Sequence, residues 1–264
     1  MIGRHQAKRL YQSSFQSFRN QRASDTMSWQ DKFPKENRYL QTLNGILYHG
    51  DCLRILAEFP EESVDLILTD PPYGTNYGKV EGDESLETYL KFLKISFRIL
   101  KPDRFLITYC FPKFISEVIK TAEEAGFEYE WIGFNYYPNM FKQKPQPLGY
   151  NRHEPFLIFS KGHPTRNSFM KDVIHIIMEK ERRALHPHEK PLKALDKLVE
   201  SASKEGQIVL DPFAGSGTTL MSCERLNRKW IGIEIEEEYC RLAKDRIFSC
   251  LKQRRLEEFL RCGR

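Results

Sequence analysis

No stretch of this 264-residue chain comes near the ~18 consecutive apolar residues of a membrane-spanning helix, so no membrane partner is expected. No C-x-x-C pair occurs: the six cysteines stand apart at positions 52, 110, 223, 240, 250 and 262. Cysteines scattered in this way supply neither a disulfide framework nor a metal-ligand set, and they fit the reduced thiols of a cytosolic protein. There is no internal repeat, which sets aside solenoids and propellers. Acid is missing altogether from residues 1–24, where Arg4, Lys8, Arg9, Arg19 and Arg22 lie among serines and glutamines.

What is present is an ordinary globular mixture, 40% hydrophobic and 29% charged, long enough for one large α/β domain. A net charge of +5 leans towards a polyanionic partner. Residues 1–40 read as a basic, disordered arm; a phosphate-binding arm and a transit peptide share that composition. Residues 41–264 read as the folded domain. Apolar strand-like runs there alternate with segments of helical period, as a mostly parallel sheet requires.

Two strand ends stand out. Val64–Thr69 reads as a strand buried on both faces, and Asp70-Pro71-Pro72-Tyr73-Gly74 follows it directly. Two prolines cannot continue a ladder, so they fix a rigid corner where open α/β sheets place their ligands. The corner offers a carboxylate on Asp70, a carbonyl on Pro71 and a flat ring on Tyr73. Farther on, the strand Gln207–Leu210 runs into Asp211-Pro212-Phe213-Ala214-Gly215-Ser216-Gly217-Thr218-Thr219 and then a helical stretch. Gly215 and Gly217 permit a tight turn and close backbone approach to a ligand, and a helix N-terminus presents free N–H groups.

Together these stretches resemble motifs IV and I of the S-adenosylmethionine-dependent DNA amino-methyltransferases. The first motif preceding the second is similar to the circularly permuted beta class. The resemblance covers about residues 46–248. It implies a Rossmann-like methyltransferase fold with a mostly parallel seven-stranded sheet and one antiparallel strand, 154–159, paired with 129–134. It implies catalytic roles for Asp70, Pro71, Pro72 and Tyr73, and S-adenosyl-L-methionine held by Asp211, Pro212, Phe213, Ala214, Gly215, Ser216, Gly217 and Thr218. His49-Gly50-Asp51-Cys52 resembles motif III, which makes Asp51 and Cys52 cofactor candidates; Asp51 equally suits a helix N-cap. Glu234 ends the strand Trp230–Glu234 and is the expected ribose ligand. His186–Pro191 resembles motif X, with Lys190 neutralising the methionine carboxylate.

Other segments complete the expectation. Thr75–Asp83 reads as a mobile loop able to close over a flipped base. Lys101-Pro102 should stop a helix begun at Glu84, with a strand following at Phe105–Cys110. Residues 135–152 interleave aromatics with Lys and Arg, which suits stacking on bases; an ordinary hairpin over the core reads the same way. With the basic segment 162–185 they form a short target-recognition insert at about 135–186. The charges of the final helix, Arg246 among them, read as a solvated face.

The resemblance implies a site-specific DNA methyltransferase acting on a base flipped out of double-stranded DNA, adenine N6 in preference to cytosine N4. It needs no metal and no covalent cysteine intermediate. An enzyme acting on RNA or protein amines, or a non-catalytic nucleic-acid-binding protein of the same fold, are the other readings. A cytoplasmic, nucleoid-associated location fits. A homodimer and a cognate restriction endonuclease are further partners left open.

Overall fold

The computed structural model describes residues 28–73, 86–139, 152–177 and 190–262, apart from the side chains of 254–262. The basic residues 1–24, the loop 75–83, most of the aromatic stretch 135–152, and His186 to Glu189 therefore lie outside the described residues. Phe33–Arg264 falls in one compact unit, and the 3-10 turn at Trp29–Lys32 falls outside it.

One sheet runs through the compact unit. Its strands are β1 (Arg38–Gln41), β2 (Gly45–His49), β3 (Val64–Thr69), β4 (Leu100–Tyr109), β5 (Glu128–Tyr136), β6 (His153–Lys161), β7 (Val173–His175), β8 (Ile208–Asp211) and β9 (Lys229–Glu234). The spatial order is β1-β2-β9-β8-β3-β4-β6-β5-β7. The seven central strands follow the expected design: β2, β9, β8, β3 and β4 are parallel, and β6 is antiparallel to both β4 and β5. Every residue of β3 is buried, so a continuous apolar run, not an alternating one, marks this strand.

Among the described residues six α-helices cover the sheet: α1 (Cys52–Ala57), α2 (Glu87–Ile99), α3 (Ile115–Glu124), α4 (Leu192–Ala202), α5 (Thr218–Arg225) and α6 (Glu237–Cys262). The chain moves one way along the sheet from β2 to β3 to β4 and the other way from β8 to β9, so right-handed crossovers put α1 and α2 on one face and α5 on the other. α4 packs on α5, and α5 on α6. Each buries one stripe; in α4 it is Ala194, Leu195, Leu198 and Val199.

Three expectations need correction. The arm does not reach residue 40: Phe33 and Leu40 are buried, and β1 pairs antiparallel with β2, adding an edge strand. Pro102 does not separate a helix from a later strand; β4 begins at Leu100 and passes through it. The register jumps between Val64↔Leu100 and Leu66↔Phe105, so residues 101–104 bulge and the missing proline N–H costs no ladder bond. The bulge has a use: Lys101 Nζ (2.9 Å) and Arg104 Nε (3.4 Å) reach the buried Asp65 carboxylate, which also accepts from Ile208 N (3.0 Å). Finally, Asn135 and Tyr136 belong to β5, and Val173–His175 adds a parallel edge strand beside it.

Candidate active site

Because β2, β9, β8, β3 and β4 point the same way, their last residues gather along one edge of the sheet. β3 and β8 are neighbours, in register at Leu66↔Val209 and Ile67↔Leu210, so Asp70 and Asp211 emerge side by side. Thr69 Oγ1 donates to Asp211 Oδ1 at 2.7 Å, joining the two motifs directly. Next along, β9 delivers Glu234, and β2, paired with it at His49↔Glu234, delivers Gly50 and Asp51. Residues separated by more than 180 positions in sequence thus share one rim.

At the first corner, Pro71 is buried, and Tyr73 is partly buried against the core. The Tyr73 hydroxyl donates to Asp70 Oδ1. Burial, then the Asp70 charge, pushes the Tyr73 phenol well above its ordinary pKa, so it remains a proton donor. The Tyr73 ring lies 6.4 Å from that of Phe111, just after β4. Lys190, the expected partner of a cofactor carboxylate, lies at the proline corner: its Nζ is 2.7 Å from Asp70 Oδ2 and 3.6 Å from Glu154 Oε1. A buried ammonium takes the carboxylates within reach, and these two are the ones that β3 and β6 bring to it. Burial pulls Lys190 towards its neutral form, but Asp70 and then Glu154 overcome this and hold its pKa above the ordinary lysine value.

The second corner is built on backbone. Gly217 caps α5 in the left-handed region, φ 77°, and Gly215 has φ 50°. A Cβ on Gly217 would meet Ala243 Cβ at 2.8 Å, whereas one on Gly215 would meet no atom within 4 Å. Gly217 therefore serves helix packing, and Gly215 faces open space where a ligand can lie against the chain. The Asp211 carboxyl, 4% exposed, is pushed up to about 6 by burial, against hydrogen bonds from Thr219, Thr69 and the Phe213 amide. Glu234 accepts from Gly215 N (2.7 Å) and Glu236 N (2.9 Å); burial raises its pKa, and those amides oppose the rise. An acid at the rim, an open glycine and the start of a helix fit a nucleoside carrying an amino-acid tail.

Asp51 is the N-cap of α1, its side chain accepting from Leu53 N at 2.8 Å. Cys52 is buried, and burial and the Asp51 charge lift its thiol to about 12; burial lifts Cys110 likewise to about 12. Both stay protonated at neutral pH and are poor nucleophiles. Among the described residues, no group of three or more His, Cys, Asp or Glu could hold a metal ion, and no helix is long and apolar enough to cross a membrane.

Two site residues escaped the sequence reading. Glu154 is the second residue of β6, and because β6 runs antiparallel, its first residues land at the same rim as the last residues of β4. Arg246 is no part of a solvated face: it is 8% exposed and donates to Ser216 O (2.9 Å) and Ser216 Oγ (2.6 Å), bracing the glycine loop from α6. Its spacing from the buried Ala243, Ile247 and Cys250 would have put it on the packed side.

Comparison with known proteins follows the same lines. A family model described as DNA methylase, of the N6/N4 type, matches residues 64–245. The type II methyltransferase M.HpaI of Haemophilus parainfluenzae is 33% identical over 234 residues, 76% of this chain and 73% of that protein. The crystal structure of the M1.HpyAVI–SAM complex superposes with a TM-score of 0.63 at 27% identity, covering 76% of this chain and 98% of that one. The PvuII DNA methyltransferase, described as cytosine-N4-specific, superposes with a TM-score of 0.68 at 25% identity, over 80% and 89% of the two chains.

Proposed function

The chain belongs to the family of DNA methylases that modify exocyclic base amines, and from that premise we propose that it methylates adenine N6 at a specific site in double-stranded DNA. The observation that carries the reading is the Thr69–Asp211 hydrogen bond, which sets the proline corner and the glycine corner side by side. When bound, S-adenosyl-L-methionine supplies a methyl group already activated as a sulfonium. The residues for holding it are Asp211 to Thr218 and Glu234, with Asp51 and Cys52 beside them.

The chain's own work is done on the base. An exocyclic amine is a weak nucleophile because its lone pair is delocalised into the ring. Asp70 and the Pro71 carbonyl accept hydrogen bonds from its two N–H groups, favour the tetrahedral nitrogen and stabilise the positive charge that grows there. Tyr73 supplies the face on which the ring stacks, and Pro72 keeps the corner rigid so that acceptor and donor meet in line. A base reaches this rim only after leaving the duplex.

Asp70 supports adenine: family members with Asp at this motif position mostly act on adenine, and those acting on cytosine more often carry Ser. Cytosine N4 is the second reading, supported by the superposition on the cytosine-N4-specific PvuII enzyme. Kinship with a type II methyltransferase also supports a cognate restriction endonuclease as partner. DNA methylated by the protein, digested to nucleosides and resolved by mass spectrometry, should show N6-methyladenine. Asp70→Ala should abolish that peak while leaving S-adenosyl-L-methionine affinity within about a few-fold in calorimetry. N4-methylcytosine alone would assign the other base; equal loss of binding and transfer in the variant would remove Asp70 from the base.

A further inference from the structure

We infer that Lys190 is a positioning residue for the catalytic carboxylate: clamped between Asp70 and Glu154, it fixes the orientation of Asp70 and does not hold the cofactor. The inference rests on the functional reading above only for what Asp70 does. Its own ground is geometric.

The Lys190 side chain is 12% exposed, and its ammonium lies 2.7 Å from Asp70 Oδ2 and 3.6 Å from Glu154 Oε1. The second carboxylate is itself tethered, because Tyr137 OH donates to Glu154 Oε2 at 2.6 Å. Beneath the ammonium lies the Tyr109 ring, with Nζ 4.8 Å from its centroid, and Asn135 Nδ2 holds the Tyr109 hydroxyl at 2.8 Å. The main chain fixes the other end: Pro191, next in sequence, is the N-cap residue of α4. The titratable groups facing this cluster are Asp70 and Tyr73 beyond β3, Tyr89 on α2, Tyr109 on β4, Tyr137 after β5 and Glu154 on β6, with Asp211 beside Asp70.

Two acids and one ammonium leave the cluster one negative charge, suited to an amine that becomes cationic as it is methylated. With Lys190 on Oδ2 and the Tyr73 hydroxyl on Oδ1, Asp70 is held at both oxygens, and Glu154 keeps Lys190 from following the base. A lysine that bound the methionine carboxylate would need a free ammonium turned towards the glycine loop; this one is spent on Asp70 and Glu154.

The test uses the full-length protein with Lys190→Gln and Lys190→Arg. In K190Q, kcat should fall on the order of a hundredfold, the scale of a misplaced reacting group, while S-adenosyl-L-methionine binds within about twofold of wild type. K190R restores the charge and should recover part of kcat. Loss of cofactor affinity in step with kcat, or an unchanged kcat, would overturn the assignment. A second measurement needs no methyl transfer: the Lys190 amine is titrated by nitrogen NMR without DNA in wild type and in Asp70→Asn. Its pKa should drop in D70N, where burial is less opposed. An unmoved titration would dissolve the pair even if the enzyme is active. Wild-type protein that methylates no DNA would instead remove the functional reading and leave the NMR comparison standing.

Discussion

At the scale of single residues, the site keeps charges that the fold alone would not choose. Asp211 is the clearest case. Its ordinary pKa near 3.8 is raised by burial to about 6. A carboxyl raised by folding binds more protons folded than unfolded between those two values. Stability therefore falls as pH rises through that window, and the ionised form is carried at neutral pH at a cost of about 3 kcal/mol. Asp211→Asn keeps an acceptor for Thr69 and Phe213 without the charge. It should melt several degrees higher than wild type at about pH 7.5, with the gain shrinking towards about pH 4.5. Calorimetric melts at both pH values check the sign; a variant no more stable at the higher pH would mean the carboxylate is solvated or paired. Asp211 was legible in sequence because its motif is contiguous. Glu154 and Arg246 were not, since one needs the direction of β6 and the other the packed side of α6. Neither follows from composition, and charges usually mark a solvated face.

At the scale of elements, the turn from β8 into α5 separates two jobs that look identical in sequence. Both glycines of Gly215-Ser216-Gly217 have positive φ, so alanine costs about 1 kcal/mol or more at either. They differ in what lies above them: Ala243 at 2.8 Å for Gly217, open space for Gly215. Gly217→Ala should lose a further ~1–3 kcal/mol of stability by forcing α5 from α6. Gly215→Ala should melt closer to wild type but bind S-adenosyl-L-methionine far more weakly, because its methyl would enter the open space proposed for the ligand. Paired denaturant titrations and calorimetry on the two variants distinguish the roles; equal stability losses would contradict them. Strands β2, β3, β8 and β9 were readable because each is a short, mostly apolar run that is almost wholly buried. The start of β4 was not, since Lys101, Pro102 and Arg104 sit in a bulge and serve Asp65 at the far edge. β1 and β7, three or four residues long, carry too little pattern to announce themselves.

At the scale of the whole molecule, the proposed chemistry and the proposed target choice fall on different parts of the chain. The alternating α/β frame supplies both corners of the rim, and the segment after Lys161 lies outside that alternation. Lys161 itself is anchored, its ammonium donating to Phe97 O (3.0 Å) and Leu100 O (2.8 Å), so a boundary after it leaves the frame intact. Beyond it, Asn167 N and Nδ2 bond to Ser201 O (2.7 Å) and Glu200 O (2.9 Å) at the end of α4, and β7 lies on β5. Between these anchors Phe169 is 82% exposed with the Arg166 guanidinium 3.7 Å from its ring centroid, an aromatic and a cation offered together to solvent. Exposed pairs of this kind stack on bases and meet phosphates. Exchanging residues 162–186 for the corresponding segment of a relative with a different target, with the Asn167 and β7 anchors retained, should move the methylated sequence. S-adenosyl-L-methionine affinity should stay within about twofold, since its expected ligands lie on other elements. Mapping methylated positions in DNA from cells expressing the exchanged protein gives the answer. An unchanged site with intact activity would put target choice elsewhere, with residues 135–153 as the next segment to exchange.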